Sequence, residues 1–255
     1  MLCWSNTNGN GVTQATAPSS LNVNGTGSAF VVWNATARDA TDSSTGNNFP
    51  AYESGRTSTT CFMRGLKENI RVQTSTGLPW LWRRICFTYK DRQIFDQING
   101  SGTGGPVQNY VSFIEASNGY GRLAFNQTLN NQAPTIAFQQ ARLFRGEQGQ
   151  DWNDPMTAPL DTRRITVKYD KYTRISSGNS TGILRDYKQW YPMNRNLVYD
   201  DDEAGNTEAF STFSVADKAG MGNYYVCDII QPGYGGTTSD ILSMSFEASL
   251  YWHEK

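Results

Sequence analysis

Residues 61–90 alternate between apolar and polar side chains, and this period of two constrains the fold more than any other feature of the chain. Successive side chains of a β-strand point to opposite faces, so the alternation predicts strands that are buried on one side. The turn-forming sequence Ser75-Thr76-Gly77 divides the stretch, and Pro79 follows where the next strand begins. We therefore predict two long strands joined as a hairpin.

The same alternation assigns a face to each side chain of the two strands. The predicted inward set is Phe62, Leu66, Ile70, Val72, Ile85, Phe87 and Tyr89. The predicted outward set is Met63, Lys67, Asn69, Arg71, Gln73, Arg84, Thr88 and Lys90. Residues 56–92 carry eight lysines and arginines against two acidic residues, a local charge of +6. Two interpretations stay open: a solvated outer sheet, or a surface that faces a polyanion.

The final stretch, 241–253, alternates in the same way and predicts another strand. Residues 8–27 and 39–58 are typical of loops, and residues 91–159 are predicted to form a long excursion with two turns of helix within 137–145. The eight predicted strands are 1–7, 29–38, 60–74, 80–90, 162–175, 183–193, 223–231 and 241–253. This pattern predicts an all-β protein, a single eight-stranded jelly-roll sandwich with long interstrand loops, in one domain over residues 1–255.

The formal net charge of −1 conceals a separation of charge along the chain. Residues 161–195 form a second basic block, with eight basic residues against three acidic ones. The two basic blocks together carry +11, so the remainder carries −12. We expect a molecule with two electrically different faces.

The cysteines are Cys3, Cys61, Cys86 and Cys227, and their spacing matches no zinc site and no CxxC motif. Buried free thiols in a reducing compartment are the expectation. No window of eighteen apolar residues exists, so no transmembrane span is predicted.

The residue content excludes several catalytic classes. His253 is the only histidine, which argues against Ser-His-Asp and Cys-His catalysis and against histidine-rich metal sites. Either Glu68 or Glu247 could supply one half of the carboxylate pair of a glycosidase, although a pairing of Glu68 with a neighbouring arginine is favoured. The acidic run 200–203 could ligate calcium or form a solvated loop. The prediction is no enzyme activity, no cofactor and no metal.

Several long motifs resemble the capsid proteins of genomoviruses, the gemycircularvirus-type viruses with small circular single-stranded DNA genomes. The matching blocks are residues 36–39, 61–68, 79–90, 151–164, 190–199, 220–225 and 247–255. The resemblance implies a jelly roll, many copies of which close into a small T=1 icosahedral shell around circular single-stranded DNA. It implies location in the virion, and in the host nucleus during assembly, with host receptor and import factors unknown.

Members of that family begin with a long basic arm, which this chain lacks. We therefore expect residues 1–255 to correspond to the ordered shell domain. Aromatic side chains among cations can stack unpaired bases, so aromatic residues join the basic ones as candidates. The predicted DNA-binding residues are Arg64, Lys67, Arg83, Arg84, Arg163, Arg164, Arg185, Lys188, Trp190 and Tyr191. The alternative function is a secreted carbohydrate-binding jelly roll that uses exposed aromatic residues.

Overall fold

The structure is a computed structural model, and it describes residues 1–42, 46–49, 53–90, 112–116, 119–129, 133–205 and 207–254. Strands predominate in these residues, beside one α-helix, α1 (Ala133–Leu143), and a short 3-10 turn, Gln127–Leu129. The strands are β1 Cys3–Thr7, β2 Thr13–Pro18, β3 Leu21–Asn24, β4 Ala29–Asn34, β5 Thr41–Asp42, β6 Gly46–Asn47, β7 Thr60–Thr74, β8 Trp80–Tyr89, β9 Ile114–Ala116, β10 Gly119–Ala124, β11 Thr166–Ile175, β12 Leu184–Val198, β13 Asp202–Ala204, β14 Thr207–Ala209, β15 Asn223–Pro232 and β16 Ile241–Glu254. The predicted all-β class is confirmed.

Two four-stranded antiparallel sheets contain the long strands. The first, sheet I, has the order β12-β7-β16-β3, and the second, sheet II, has the order β11-β8-β15-β4. Along the chain these eight strands alternate between the sheets, and only β8 and β11 are consecutive within one sheet. A third sheet, β2-β1-β10-β9, contains the parallel pair β1 and β10.

The predicted hairpin between β7 and β8 is wrong, although both strands exist. β7 pairs with β12 and β16 in sheet I, whereas β8 pairs with β11 and β15 in sheet II. The turn after Thr74 therefore carries the chain from one sheet to the other. Local turn chemistry is the same for a hairpin and for such a crossing, so the sequence pattern did not separate them.

A β-bulge reverses part of the predicted alternation in β7. Both neighbours of β7 shift register between Gly65 and Met63, so Arg64 has no partner in either ladder. Met63 is consequently buried and Phe62 is half-buried, the reverse of the prediction. Beyond the bulge the predicted alternation is confirmed, with Leu66 on the buried side and Lys67 on the exposed side.

β8 is buried on both faces, which contradicts the predicted solvated row at Arg84 and Thr88. Its outer face is covered by the segment that follows α1. Arg83 donates hydrogen bonds to the backbone oxygens of Pro155 and Ala158, and its guanidinium lies 5.5 Å from the ring centroid of Phe144. The segment predicted as an excursion therefore supplies cover for sheet II, and the helix predicted within it is confirmed as α1.

The first 27 residues contain more strand than predicted. Residues 1–7 do form a strand, but β1 belongs to the third sheet. The predicted loop 8–27 contains β2 and β3, and β3 supplies the edge of sheet I through Leu21 and Val23. A four-residue strand is too short for alternation alone to identify it. Residues 91–111, the start of the predicted excursion, lie outside the described residues.

A cluster of four buried charged side chains joins the three large sheets. Arg84 of β8 donates to Glu68 of β7 at 2.5 Å and to Asp228 of β15 at 2.7 Å. Arg122 of β10 contacts the same two carboxylates at 3.1 and 2.8 Å. All four side chains are 2% exposed or less, so the two positive and two negative charges compensate one another away from water. The predicted pairing of Glu68 with an arginine is confirmed.

Candidate nucleic-acid interface

The ten predicted DNA-binding residues occupy three environments in the structure. Arg64, Lys67, Lys188 and Trp190 are exposed on sheet I. Arg163 and Arg164 are exposed outside sheet I and Arg185 is exposed near the start of β12, whereas Arg83, Arg84 and Tyr191 are buried. The structure thus brings four of the ten residues together on one surface.

The exposed surface of sheet I is built from side chains that alternate outward on three neighbouring strands. Pairing across β12, β7 and β16 produces successive rows: Asp186, Arg71 and Ser245; Lys188, Asn69 and Glu247; Trp190, Lys67 and Ser249; and Pro192, Gly65 and Tyr251. Arg64, at the bulge, extends the surface beyond the last row. We call this surface, consisting of these rows and Arg64, the β7 face.

Positive charge exceeds negative charge on the β7 face. Arg71 lies 3.1 Å from Asp186, and both of these side chains are more than half exposed. No carboxylate within the described part of the chain comes within 4.0 Å of the charged nitrogens of Arg64, Lys67 or Lys188. These three cations are therefore available to an external anion.

Two aromatic rings lie beside the three cations. Trp190 and Tyr251 are 50% and 45% exposed, and their ring centroids are 5.7 Å apart with an interplanar angle of 59°. They project from β12 and β16, the two strands that flank β7: Tyr251 is the ladder partner of Gly65, and Trp190 lies in the adjacent row beside Lys67. A Cβ added at Gly65 would lie 2.6 Å from Cζ2 of Trp190, so the absence of a side chain there permits this position of the indole.

A shallow pocket of about 290 Å³ lies two rows along the β7 face from the rings. Its lining includes Asn69, Arg71, Asp186, Lys188 and Glu247. Both signs of charge are present in this lining, so the pocket is more polar than basic. It lies between the cation Lys188 and the carboxylate of Glu247, which share one row.

Three of the predicted contacts need correction because their side chains are inside the protein. Arg83 is held by Asp170, with Nε and Nη2 at 2.9 and 2.8 Å from its oxygens. Arg84 is a member of the buried charge cluster, and it also donates a 3.2 Å hydrogen bond to the hydroxyl of Tyr191. Burial raises the pKa of that hydroxyl, so Tyr191 is a neutral core residue.

The remaining predicted residues are exposed but not on the β7 face. Arg164 lies beside α1, where Nη1 donates to the Ala141 oxygen at 2.6 Å and Nε lies 3.3 Å from Asp161. Arg163 precedes it in the same exposed segment. Arg185 is three residues before Lys188, and an odd separation on a strand directs its side chain to the opposite side.

Sequence reasoning missed Tyr251 as a member of the site. The alternation of 241–253 already placed it on the polar side of the last strand, opposite the core residues. Its proximity to Trp190 depends on the registers of two strands with β7, and no local pattern in the sequence contains that information.

The carboxylates considered for catalysis or metal binding have other environments. Glu68 is buried between the sheets, whereas Glu247 is exposed on the β7 face, so the two lie on opposite sides of sheet I and cannot form a facing pair. In the acidic run, the carboxylate of Asp201 accepts hydrogen bonds from both terminal nitrogens of Arg56. The described residues contain no group of three or more potential metal ligands from histidine, cysteine, aspartate and glutamate.

The four cysteines are confirmed as buried free thiols. Burial raises the pKa of Cys61 to about 12 and raises those of Cys86 and Cys227 as well. Protonated thiols of this kind are poor nucleophiles, so they carry no reactive chemistry. Among the described helical residues, no helix has the length and apolar character needed to cross a membrane.

No protein-family model matches the chain, and no curated protein is similar to it.

Proposed function

We propose that this protein is a jelly-roll capsid subunit that assembles with copies of itself into a small T=1 icosahedral shell and packages circular single-stranded DNA. The fold part of the proposal is supported by the strand order. Sheet I and sheet II each contain four strands, and the chain alternates between them at every step except β8 to β11. Two interleaved Greek keys, the arrangement of a jelly roll, have this order.

The observation that carries the nucleic-acid part is the β7 face. It combines, on one side of a sheet, two exposed aromatic rings and three cations without a carboxylate within 4.0 Å among the described residues. Both features complement single-stranded nucleic acid, because its backbone is anionic and its unpaired bases have exposed π-faces. In the proposed shell the β7 face is directed to the interior, and it contacts phosphates without a preference for sequence.

The proposed contacts differ from those predicted from the sequence. Arg64, Lys67, Lys188 and Trp190 remain in the set. Arg83, Arg84 and Tyr191 leave it because their side chains have partners inside the protein. Neither Arg163 nor Arg185 lies on the β7 face, and the side chain of Arg164 is engaged with α1 and Asp161.

Electron microscopy and light scattering of the purified protein test assembly directly. We expect closed shells of uniform diameter with nucleic acid inside. The triple variant R64A/K67A/K188A should assemble but contain less nucleic acid, measured by the ratio of absorbance at 260 and 280 nm. The control K168A/K171A/R174A removes the same number of positive charges from exposed positions of β11, and its shells should retain their nucleic acid. A small soluble oligomer under all conditions would contradict the proposal.

The second candidate function is carbohydrate binding, which one observation favours. The exposed Trp190 and Tyr251 lie near a polar pocket with Asn69 and Glu247, and sugars bind to such combinations of rings and hydrogen-bonding groups. The three cations of the same face that have no carboxylate within 4.0 Å among the described residues favour an anionic ligand instead. Binding of neutral oligosaccharides by a monomer, with no affinity for DNA, would favour this second function.

A further inference from the structure

We propose that Trp190 and Tyr251 form a stacking platform for unpaired bases, which makes the β7 face selective for single-stranded over double-stranded nucleic acid. This inference rests on the proposed function and adds to it the two residues that distinguish an unpaired strand from a duplex. Cations alone bind phosphates of either state, so a preference between them requires contacts of another kind.

The sheet itself brings the rings of Trp190 and Tyr251 together. β12 and β16 are separated by β7, so their backbones lie about 9.6 Å apart. The ring centroids nevertheless approach to 5.7 Å, because Gly65 of β7 has no side chain and the indole of Trp190 extends over it. The pair is a formed feature of the surface that leaves about half of each side chain accessible.

Three cations of the β7 face surround the rings of Trp190 and Tyr251. Lys67 is the direct ladder neighbour of Trp190 on β7. Lys188 lies two residues from Trp190 on the same side of β12, and Arg64 adjoins Gly65. A nucleic-acid strand with a base stacked on these rings would therefore have its phosphates close to the three cations. This charge complementarity selects a nucleic acid over a neutral sugar.

The preference for a single strand over a duplex follows from the accessibility of the base faces. In a duplex the π-faces of the bases are covered by their stacked neighbours, so a flat sheet surface can reach only phosphates and sugars. An unpaired strand exposes base faces, and a protein ring can stack on them without reading the sequence. Each stacked base typically contributes about 1–3 kcal/mol, which is about fivefold to a hundredfold in affinity. The single strand gains this contribution, and the duplex does not.

The test compares the affinities of the full chain for a fluorescent oligothymidylate and for a hairpin duplex with the same number of phosphates. We expect W190A/Y251A to lose about tenfold or more in affinity for the single strand and to keep its affinity for the duplex. The dependence of both affinities on salt should not change, because no charge is removed. W190F retains a ring and should keep most of the single-strand affinity.

Y172A is the matched control, since Tyr172 is a similarly exposed aromatic residue on β11 of the other sheet. It should change neither affinity. Circular dichroism and particle size of each variant establish that the fold and assembly are intact.

Equal losses for single strand and duplex would overturn the inference, as would an unchanged affinity for both. Loss of binding to a neutral oligosaccharide in W190A/Y251A, with DNA affinity intact, would overturn it in favour of a sugar ligand. Failure of the inference is distinguishable from failure of the proposed function. If the proposed function fails, the unmodified protein neither binds nucleic acid nor forms shells.

Discussion

The two sides of sheet I use the same types of charged residue in opposite ways. On the inner side, Glu68 and the two arginines that hold it form, with Asp228, a compensated cluster away from water. On the outer side, Lys67, the residue before Glu68, is exposed and has no carboxylate within 4.0 Å in the described residues. Burial compels pairing because an uncompensated charge is costly there, while an exposed cation can remain available to a ligand.

The comparison predicts a large loss of stability when the inner side is disturbed. Arg84→Met leaves Glu68 and Asp228 with one arginine in place of two, and removing one partner of a buried charge network costs about 3–5 kcal/mol. Urea unfolding measures this difference. Lys67→Met on the outer side should change the free energy of unfolding by less than about 0.5 kcal/mol. Equal effects at the two positions would contradict the distinction.

A pH titration of stability sharpens the same comparison. Burial alone would raise the pKa of Asp228, but Arg84 and Arg122 outweigh it and lower the pKa to about 2. A carboxylate whose pKa is depressed in the folded state contributes stability above its unfolded pKa near 4 and loses it as the pH falls towards 2. We expect about 2 kcal/mol to be lost over this range. D228N, less stable from the start, should show a flatter dependence.

The outer side is tested by the effect of salt on DNA affinity. For single strands, the logarithm of the binding constant falls with the logarithm of salt concentration by about 0.7 for each neutralised phosphate. R64A/K67A/K188A should therefore reduce the magnitude of this slope by about 2 if each cation neutralises one phosphate. Fluorescence anisotropy over a series of salt concentrations measures it. The free energy of unfolding should stay nearly constant, and a slope that does not change would place the contacts elsewhere.

The smallest effect is expected for the exposed ion pair between Arg71 and Asp186. Both side chains are more than half exposed, and pairs of this kind contribute about 0–1 kcal/mol. A double-mutant cycle with R71A and D186A, followed by urea unfolding, measures the coupling. A coupling as large as that of the Arg84 cluster would show that exposure does not decide the energetics of these charges.

Much of the fold was predictable from local pattern, and its pairing was not. β16 and most of β7 follow the period of two, because each has one side against the core and one against water. The pattern failed for β8, which is buried on both sides, so that the polar Arg84 was predicted to be exposed. It failed for β3 because four residues carry too little periodicity.

The candidate site was predictable in composition but not in arrangement. Clusters of cations near Trp190 are visible in the sequence, and the buried pairing of Glu68 follows from the cost of an isolated charge. Which arginine satisfies Glu68 depends on how the sheets pack, and one of the two, Arg122, comes from a segment predicted as an irregular excursion. Tyr251 required the register of three strands.

Arg122 has a consequence for how the molecule comes apart. It is the one member of the buried cluster that is contributed by the third sheet, through β10. If β10 detached alone, the buried carboxylates of Glu68 and Asp228 would keep only Arg84 as a counter-charge. Detachment of the third sheet is therefore coupled to the opening of the whole sandwich, and the backbone amides of β10 should exchange their hydrogens only through global unfolding.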